Sequence, residues 1–355
     1  MEAQLRSIIS GDDRRLAARL LRPMLAAAAA PYRLAVATRN RLFDSSVLRA
    51  HRATVPVVSI GNLTLGGTGK TPFVEFVCRW FLDRGKRPVI LSRGYRSGGG
   101  QNDEALVLQS NLPSVPHLQG KDRVALAGQA IEQFHPDVIV LDDGFQHRRL
   151  ARDLDIVLID CTEPFGYGYL FPRGLLREPV QSLARGDLIV LSRSNLCSNL
   201  ARERIVSQVL AASGGKPVVL AEHQPAKLQS WSGATAPVAS LAGKKVLGFC
   251  GIGNPSAFWT TLRSLGCDLV HTMQFPDHHT YPAPDINLIA RQAASLKPDF
   301  VVCTQKDLVK IRACELGKTA LFAVQIYLSV SNPACHLESA LARVLLSPVS
   351  TATAA

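Results

Sequence analysis

The chain has 355 residues, enough for one large or two medium domains that each bury a core. Its 47% apolar and 19% charged residues are ordinary for a soluble globular protein, and a net charge of +12 asks for an acidic partner: a nucleotide, a nucleic acid or an anionic membrane surface. No Lys/Arg stripe with interleaved aromatics is present, which argues against nucleic acid, and eight cysteines without a CxxC pair favour reduced thiols in a cytosolic compartment over zinc or disulfides.

In chain order, residues 1–50 are Arg- and Ala-rich and read as a helical, membrane-associating segment, with breaks expected near Pro23 and Pro31. Seven arginines lie between Asp12 and Phe43, and Leu16, Leu20 and Met24 share one helical face at i, i+4, i+8. Cations beside an apolar stripe suit an interfacial helix; an amphipathic helix packed on the protein's own second domain, with Arg facing water, is the other reading. The longest uncharged run there, 23–32, is far too short to span a bilayer, and an apolar run that follows Glu2, Asp12 and Asp13 fits a signal peptide poorly.

From residue 55 the pattern alternates. Strands are predicted at 55–60, 88–92, 137–141, 156–159 and 187–192, and helices at 71–84 and 122–134. Such alternation means a parallel sheet with helices on both faces. Residues 96–102 read as a loop and 222–243 as a linker or hairpin. A second α/β pattern follows, with strands at 246–249, 268–273, 300–304 and 321–325 and helices at 256–265 and 285–296. The domain plan is therefore 51–221 for the first α/β domain and 244–346 for a smaller second one, with a disordered tail at 347–355.

The most telling stretch is 61–72, Gly-Asn-Leu-Thr-Leu-Gly-Gly-Thr-Gly-Lys-Thr-Pro, set between a predicted strand and a predicted helix. Strand, glycine loop, Lys-Thr and helix make a phosphate cradle, in which backbone N–H groups and the helix N-terminus face phosphate oxygens. Gly66, Gly67, Thr68, Gly69, Lys70 and Thr71 form the predicted nucleotide site, with Lys70 on the β/γ-phosphates and Thr71 on Mg²⁺. The GxxxxGK[ST] pattern wants Gly at position 64, and this chain has Thr64. Lys70 is expected on an exposed loop that packs no core.

The second motif is the apolar run Val138-Ile139-Val140-Leu141 followed by Asp142-Asp143-Gly144. It places two carboxylates at a strand's C-terminal end, where open α/β sheets bind ligands, and where a carboxylate can hold Mg²⁺ on the phosphates. A solvated Asp-Asp-Gly turn is the alternative. With the following Phe145-Gln146-His147 and the glycine loop, this run resembles the tetraacyldisaccharide 4'-kinases of lipid A biosynthesis, a P-loop family. Ser92-Arg93-Gly94-Tyr95, Gly120-Lys121-Asp122-Arg123, Leu175-Leu176-Arg177-Glu178-Pro179, 249–255, Phe275-Pro276-Asp277-His278-His279 and Thr304-Gln305-Lys306-Asp307 recur in the family's order, so the likeness spans roughly 30 to 330. In that family Ser or Thr commonly stands where this chain has Thr64.

The resemblance implies a P-loop NTPase-like α/β fold with a second smaller α/β domain closing over the cleft. It implies transfer of the γ-phosphoryl of ATP, with Mg²⁺, to the 4'-hydroxyl of a tetraacylated glucosamine disaccharide 1-phosphate at the cytoplasmic face of the inner membrane. Asp142 and Asp143 would join Thr71 at the metal. The family's base is an Asp in a Gly-Asp-Glu-Pro motif, and the matching stretch here is Asn102-Asp103-Glu104-Ala105. Asp103 thus maps to the base by position and by Asp-Glu; a helix-capping Asp is the other reading. His278 matches the histidine that partners the base, with His279 beside it, and Arg177 matches a phosphate-contacting arginine. His147, Arg93, Tyr95 and Arg123 are further implied site residues.

A P-loop GTPase or ATPase switch is the second reading. Thr304-Gln305-Lys306-Asp307 superficially resembles the Asn/Thr-Lys-x-Asp guanine reader, although it lies beyond the expected linker.

Overall fold

A computed structural model describes residues 7–94, 102–331 and 334–346. The chain divides into two compact units: Met1–Gly94, Ser114–Glu222 and Val330–Ala355 form the first, Tyr95–Pro113 and His223–Ser329 the second. Residues 96–101 of the expected loop at 96–102 and the tail at 347–355 lie outside the described residues, as does Tyr95.

After a helical turn at 7–10, the first unit continues with α1 (Leu16–Asp44), one continuous helix with Pro23 and Pro31 inside it. The breaks expected at the two prolines do not occur. Each proline removes one N–H and orphans one carbonyl a turn back. Most of this helix is exposed, so water can serve those carbonyls, and Ala, Leu and Arg on either side are strong helix formers. Its C-terminal half is tied down: Tyr32 Oη donates to the Arg177 carbonyl at 2.8 Å, and Arg39 and Asn40 bond Glu178 at 3.0 and 2.8 Å.

The sheet of this unit is built from β1 (Val57–Asn62), β2 (Pro88–Ser92), β3 (His117–Gln119), β4 (Val138–Asp142), β5 (Leu154–Asp160), β6 (Leu188–Ser192) and the start of β7 (Val218–Gln229). Its order is β7-β6-β5-β1-β4-β2-β3, and all these pairings are parallel. Strands covered on both faces should read as continuous apolar runs, and β1, β2, β4, β5 and β6 are buried at every position. The crossover helices are α2 (Lys70–Leu82), α4 (Arg123–Phe134) and α5 (Asn199–Ser213), and α9 (Ala334–Leu346) completes the unit. One core packs Ala127 and Ala130 of α4 against Val57, Val89 and Ile139; another packs Ile205 and Val209 of α5 against Val157, Ile189 and Leu191.

β1 and β4 are neighbours, with Ile60 opposite Asp142 in the register. That pairing brings the glycine loop and the Asp142-Asp143 pair to one sheet edge. β1 runs on through Gly61 and Asn62, two residues past its expected end. Helix α5 was not expected; it buries only Ile205, Val209 and Ser213, too sparse a stripe to stand out.

In the second unit β9 (Lys245–Cys250), β10 (Asp268–Gln274), β11 (Phe300–Thr304) and β13 (Thr319–Ser331) pair in parallel in the order β10-β9-β11-β13. The 222–243 stretch holds an antiparallel hairpin of β7 with β8 (Thr235–Pro237), and β12 (Glu315–Leu316) turns back on β13. Helices α3 (Asp103–Asn111), α6 (Pro255–Ser264), α7 (Ala283–Leu296) and α8 (Gln305–Ile311) belong to this unit.

Candidate active site

The glycine loop joins β1 to α2. Gly69 is the α2 N-cap with φ 84°, a left-handed conformation that favours glycine and turns the helix's first N–H groups toward the loop's hollow. Gly61 meets the Asp-Asp-Gly-Phe run directly: a Cβ there would lie 2.5 Å from Phe145 Cβ. The loop is braced from outside. Leu65 N–H donates to the Leu175 carbonyl and Arg177 N–H to the Leu63 carbonyl, both at 2.7 Å.

Lys70 is only 8% exposed, contrary to the exposed loop residue expected. Its Nζ donates to Asn62 Oδ1 at 3.2 Å and lies 3.5 Å from Asp143 Oδ1. Arg177 Nη1 donates to both Asp143 oxygens at 2.9 and 2.8 Å and to Gln146 Oε1 at 3.2 Å. Burial alone would raise the Asp143 carboxyl, but the Lys70 and Arg177 charges outweigh it and hold that carboxyl far below the usual range. Asp143 itself has φ 55°, which turns its side chain off the strand line. Asp142 ends β4 and is buried, and Thr71 is buried in the first turn of α2. Thr71, Asp142 and Asp143 offer oxygen donors only, the set a small hard cation such as Mg²⁺ takes. Each carboxylate oxygen has two acceptor positions, so Asp143 can hold Arg177 and still ligate.

Arg123, in the first turn of α4, is a buried cation whose charge is felt by Asp143, Asp142 and Arg93. Burial lowers its pKa, as expected for a cation removed from water. Burial, then the Arg123, Arg152 and Arg149 charges, push the His147 imidazole down to about 4, so it is neutral at pH 7. Lys70, Thr71, Asp142, Asp143, Arg177, Arg123, His147 and Arg93 thus belong to one sheet edge of the first unit.

Two braces on the loop carry no local sequence signal. Ser192 Oγ donates to the Thr68 carbonyl at 2.7 Å. Arg193 Nη1 donates to the Gly67 carbonyl at 2.9 Å and also pairs with Asp160. Ser192 ends β6 and Arg193 follows it, two strands from β1, and only the strand order places them there.

Asp103 and His278 belong to the second unit. Asn102 is the cap of α3, its Oδ1 accepting from Glu104 N–H at 3.2 Å, and Asp103 is the helix's first residue. The Asp103 carboxylate is 5% exposed and accepts from His278 Nδ1, at 2.9 Å to Oδ1 and 3.0 Å to Oδ2. A carboxylate only accepts, so Nδ1 carries the hydrogen and Nε2 of the neutral ring is left as an acceptor. Burial raises the Asp103 carboxyl, but the His278 hydrogen bond and the Lys306 and Lys310 charges outweigh it and hold it well below the usual range. The same hydrogen bond raises His278, against the opposing effect of burial. His279 is occupied elsewhere: its Nε2 bonds Asp285 Oδ2 at 2.6 Å and its ring stacks on Phe275 at 4.9 Å. Asp307 is fully buried and accepts from Tyr281 Oη at 2.8 Å, Thr304 Oγ1 at 2.6 Å and Gly251 N–H at 3.1 Å. A carboxylate held inside its own unit in this way is not a guanine reader, which removes the main support for the GTPase reading.

Residues 21–346 match the family model described as tetraacyldisaccharide-1-P 4'-kinase. A tetraacyldisaccharide 4'-kinase of Syntrophus aciditrophicus is 38% identical over 310 residues, covering 80% of this chain and 83% of its own. That of Geobacter metallireducens is 36% identical over 345 residues, covering 92% and 99%. Among solved structures, LpxK from Aquifex aeolicus in complex with ATP superposes with a TM-score of 0.71 at 29% identity, covering 92% of this chain and 99% of its own.

Proposed function

We propose how the chemistry is divided among these residues from one premise: the chain belongs to the tetraacyldisaccharide-1-phosphate 4'-kinase family. It is a phosphotransferase that uses ATP to phosphorylate the 4'-hydroxyl of the tetraacylated disaccharide 1-phosphate in lipid A biosynthesis. Gly66, Gly67, Thr68, Gly69 and Lys70 cradle the ATP phosphates. Thr71, Asp142 and Asp143 hold Mg²⁺, which when bound neutralises charge building on the transferring phosphoryl group. Arg177 steadies Asp143 and, once phosphate is present, can turn a donor toward it. Arg93, Arg123 and neutral His147 complete the anion-facing wall.

The Asp103–His278 pair takes the proton from the acceptor hydroxyl, and the observation that carries this is the hydrogen bond of Nδ1 to both carboxylate oxygens. It fixes the ring's tautomer and leaves Nε2 basic, the arrangement a general base needs. The proton belongs to the pair, whose two sites titrate together. With purified protein, ATP, Mg²⁺ and a tetraacylated glucosamine disaccharide 1-phosphate, product carrying a second phosphate is expected. EDTA abolishes its formation and Mg²⁺ restores it. Full turnover in EDTA overturns the metal assignment, and acceptor-independent nucleotide hydrolysis overturns the kinase assignment.

The acceptor is a lipid, and α1 is the element suited to meet its membrane. Leu16, Leu20 and Met24 are 72%, 61% and 66% exposed, so this stripe is not spent on the protein's own surface. Arg14, Arg15 and Arg19 are exposed alongside them. Among the described residues no helix is long and apolar enough to cross a membrane. An apolar stripe flanked by cations binds an anionic surface in the interfacial plane, each Lys/Arg adding about 1 kcal/mol. Replacing Leu16, Leu20 and Met24 together by Gln is expected to abolish flotation with anionic liposomes while leaving ATP binding unchanged. Flotation equal to that of the unaltered chain rules this stripe out as the anchor.

A further inference from the structure

Thr304-Gln305-Lys306-Asp307 is the quoted run to which kinase chemistry assigns no task. It starts α8, and its Lys306 and Asp307 reach groups beside the pair described above. Lys310, one turn on, places Nζ 3.4 Å from Asp103 Oδ2 and 3.5 Å from Asp307 Oδ1. Lys306 Nζ pairs with Glu104 Oε1, next to Asp103, at 2.6 Å. Asp307 holds the Gly251 N–H at 3.1 Å, and the carbonyl of that same Gly251 accepts the His278 N–H at 3.2 Å.

We propose that Asp307 and Lys310 are positioning residues that hold both members of the Asp103–His278 pair from one helix, Lys310 acting on the carboxylate and Asp307 on the histidine's backbone through Gly251. The proposal rests on the reading of that pair as the base. The histidine needs such a fixture. His278 has φ 58°, an unfavourable conformation for a side-chain-bearing residue, and it sits in a Pro-bounded loop. The Gly251 hydrogen bonds hold it there, and a Cβ on Gly251 would press within 3.0 Å of the Pro276 carbonyl and Tyr281 Oη. Asp307, having Tyr281, Thr304, Gly251 and Lys310 as partners, is a fully satisfied buried carboxylate, the condition under which a buried polar network rigidifies its surroundings.

Lys310 also sets the charge around the base. The groups facing Asp103 are His278, Lys306 and Lys310, with Asp277 beside the His278 ring. Lys306 and Lys310 both lower Asp103, Lys306 by more, but Lys306 Nζ pairs with Glu104, whereas Lys310 Nζ contacts the Asp103 carboxylate itself, at 3.4 Å. Without Lys310 both members of the pair bind a proton more tightly. The pair accepts the hydroxyl proton only when unprotonated, so the acid limb of kcat/KM must then move to higher pH.

Lys310→Met is expected to shift that limb upward by about one pH unit, in the range typical of losing an opposite charge at this distance, and to lower kcat at pH 7 about tenfold or more. Lys310→Arg keeps the charge and is expected to keep the limb. Asp307→Asn is expected to lower kcat with little change in the KM for ATP. A merely structural lysine would change the rate without moving the limb, so an unmoved limb in Lys310→Met overturns the proposal. If Lys310→Met does not fold, the His278 ring is titrated by NMR in full-length Lys310→Gln, where an unshifted midpoint overturns it equally. Asp103→Asn separates the two layers: full activity in that variant removes the base assignment itself, whereas an inactive Asp103→Asn with an unmoved Lys310→Met limb removes only the positioning role.

Discussion

Asp103→Asn is expected to lower kcat by about 10²–10⁴-fold, the usual loss when a positioned general base is removed, with the apparent KM for ATP changed by no more than about twofold. The asymmetry follows from where Asp103 sits. It is in the second unit, while every phosphate- and metal-facing candidate of the glycine loop is in the first. Asn keeps the shape of Asp but brings an N–H₂ to the ring. His278 Nδ1–H then has at most one neutral amide oxygen to donate to, and Nε2 loses the basicity that a charged carboxylate lends the ring. His278→Ala is expected to fall in the same range, and the double variant to lose little more than either single one, because the two act as a unit. His279→Ala disturbs a stack on Phe275 and a bond to Asp285, so its effect is expected on stability before catalysis. A collapse of ATP binding in Asp103→Asn would make this residue part of the nucleotide site and shift the base assignment to Asp142 or Asp143. In the unaltered protein the raised His278 sets the sign of the pH dependence. Activity is full above the pair's protonation and falls as pH drops through a value above that of a free imidazole.

Lys70→Met is expected to cut turnover roughly a thousandfold, since a cation aimed at charge that grows in the transition state is among the largest single contributions an enzyme site makes. Its effect on stability is expected to be about 1–2 kcal/mol, above a surface site and below the loss of a buried ion pair. Lys70 is buried, but its partner Asp143 keeps the two Arg177 hydrogen bonds and stays charged when the lysine is gone. Methionine fills the volume of the aliphatic stem. A thermal melt beside the kinetic assay separates the two effects: a wild-type rate sinks the phosphate-loop assignment, and a rate loss matched by unfolding at the assay temperature attributes the effect to the fold.

What the sequence determined by itself is what short-range chemistry can encode. A run of four or five apolar residues bounded by Asp-Asp-Gly or by a glycine loop reads as a buried strand that delivers its last residues to a sheet edge, so β1, β4 and the meeting of the glycine loop with the carboxylate pair were legible. Ordered short motifs made the family recognisable, because their residue types serve phosphoryl transfer wherever the chain brings them together. Tertiary structure decided which charges meet. Asp103 and His278 are 175 positions apart, and nothing local in Asn-Asp-Glu-Ala or Pro-Asp-His-His states that they share a hydrogen bond. Lys70 read as exposed because a loop lysine usually is; its burial comes from Asn62 and Asp143 closing on it once β1 and β4 pair. Ser192 and Arg193 reach the loop only because β5 and β6 follow β1 in the strand order. The two prolines of α1 predicted breaks from their missing N–H groups, yet the continuous helix is held by Tyr32, Arg39 and Asn40 on residues 177 and 178, contacts separated by 138 to 145 positions that no local rule contains. Propensity and periodicity act within a few residues, whereas the charges that make a site are set by burial and by partners from distant strands.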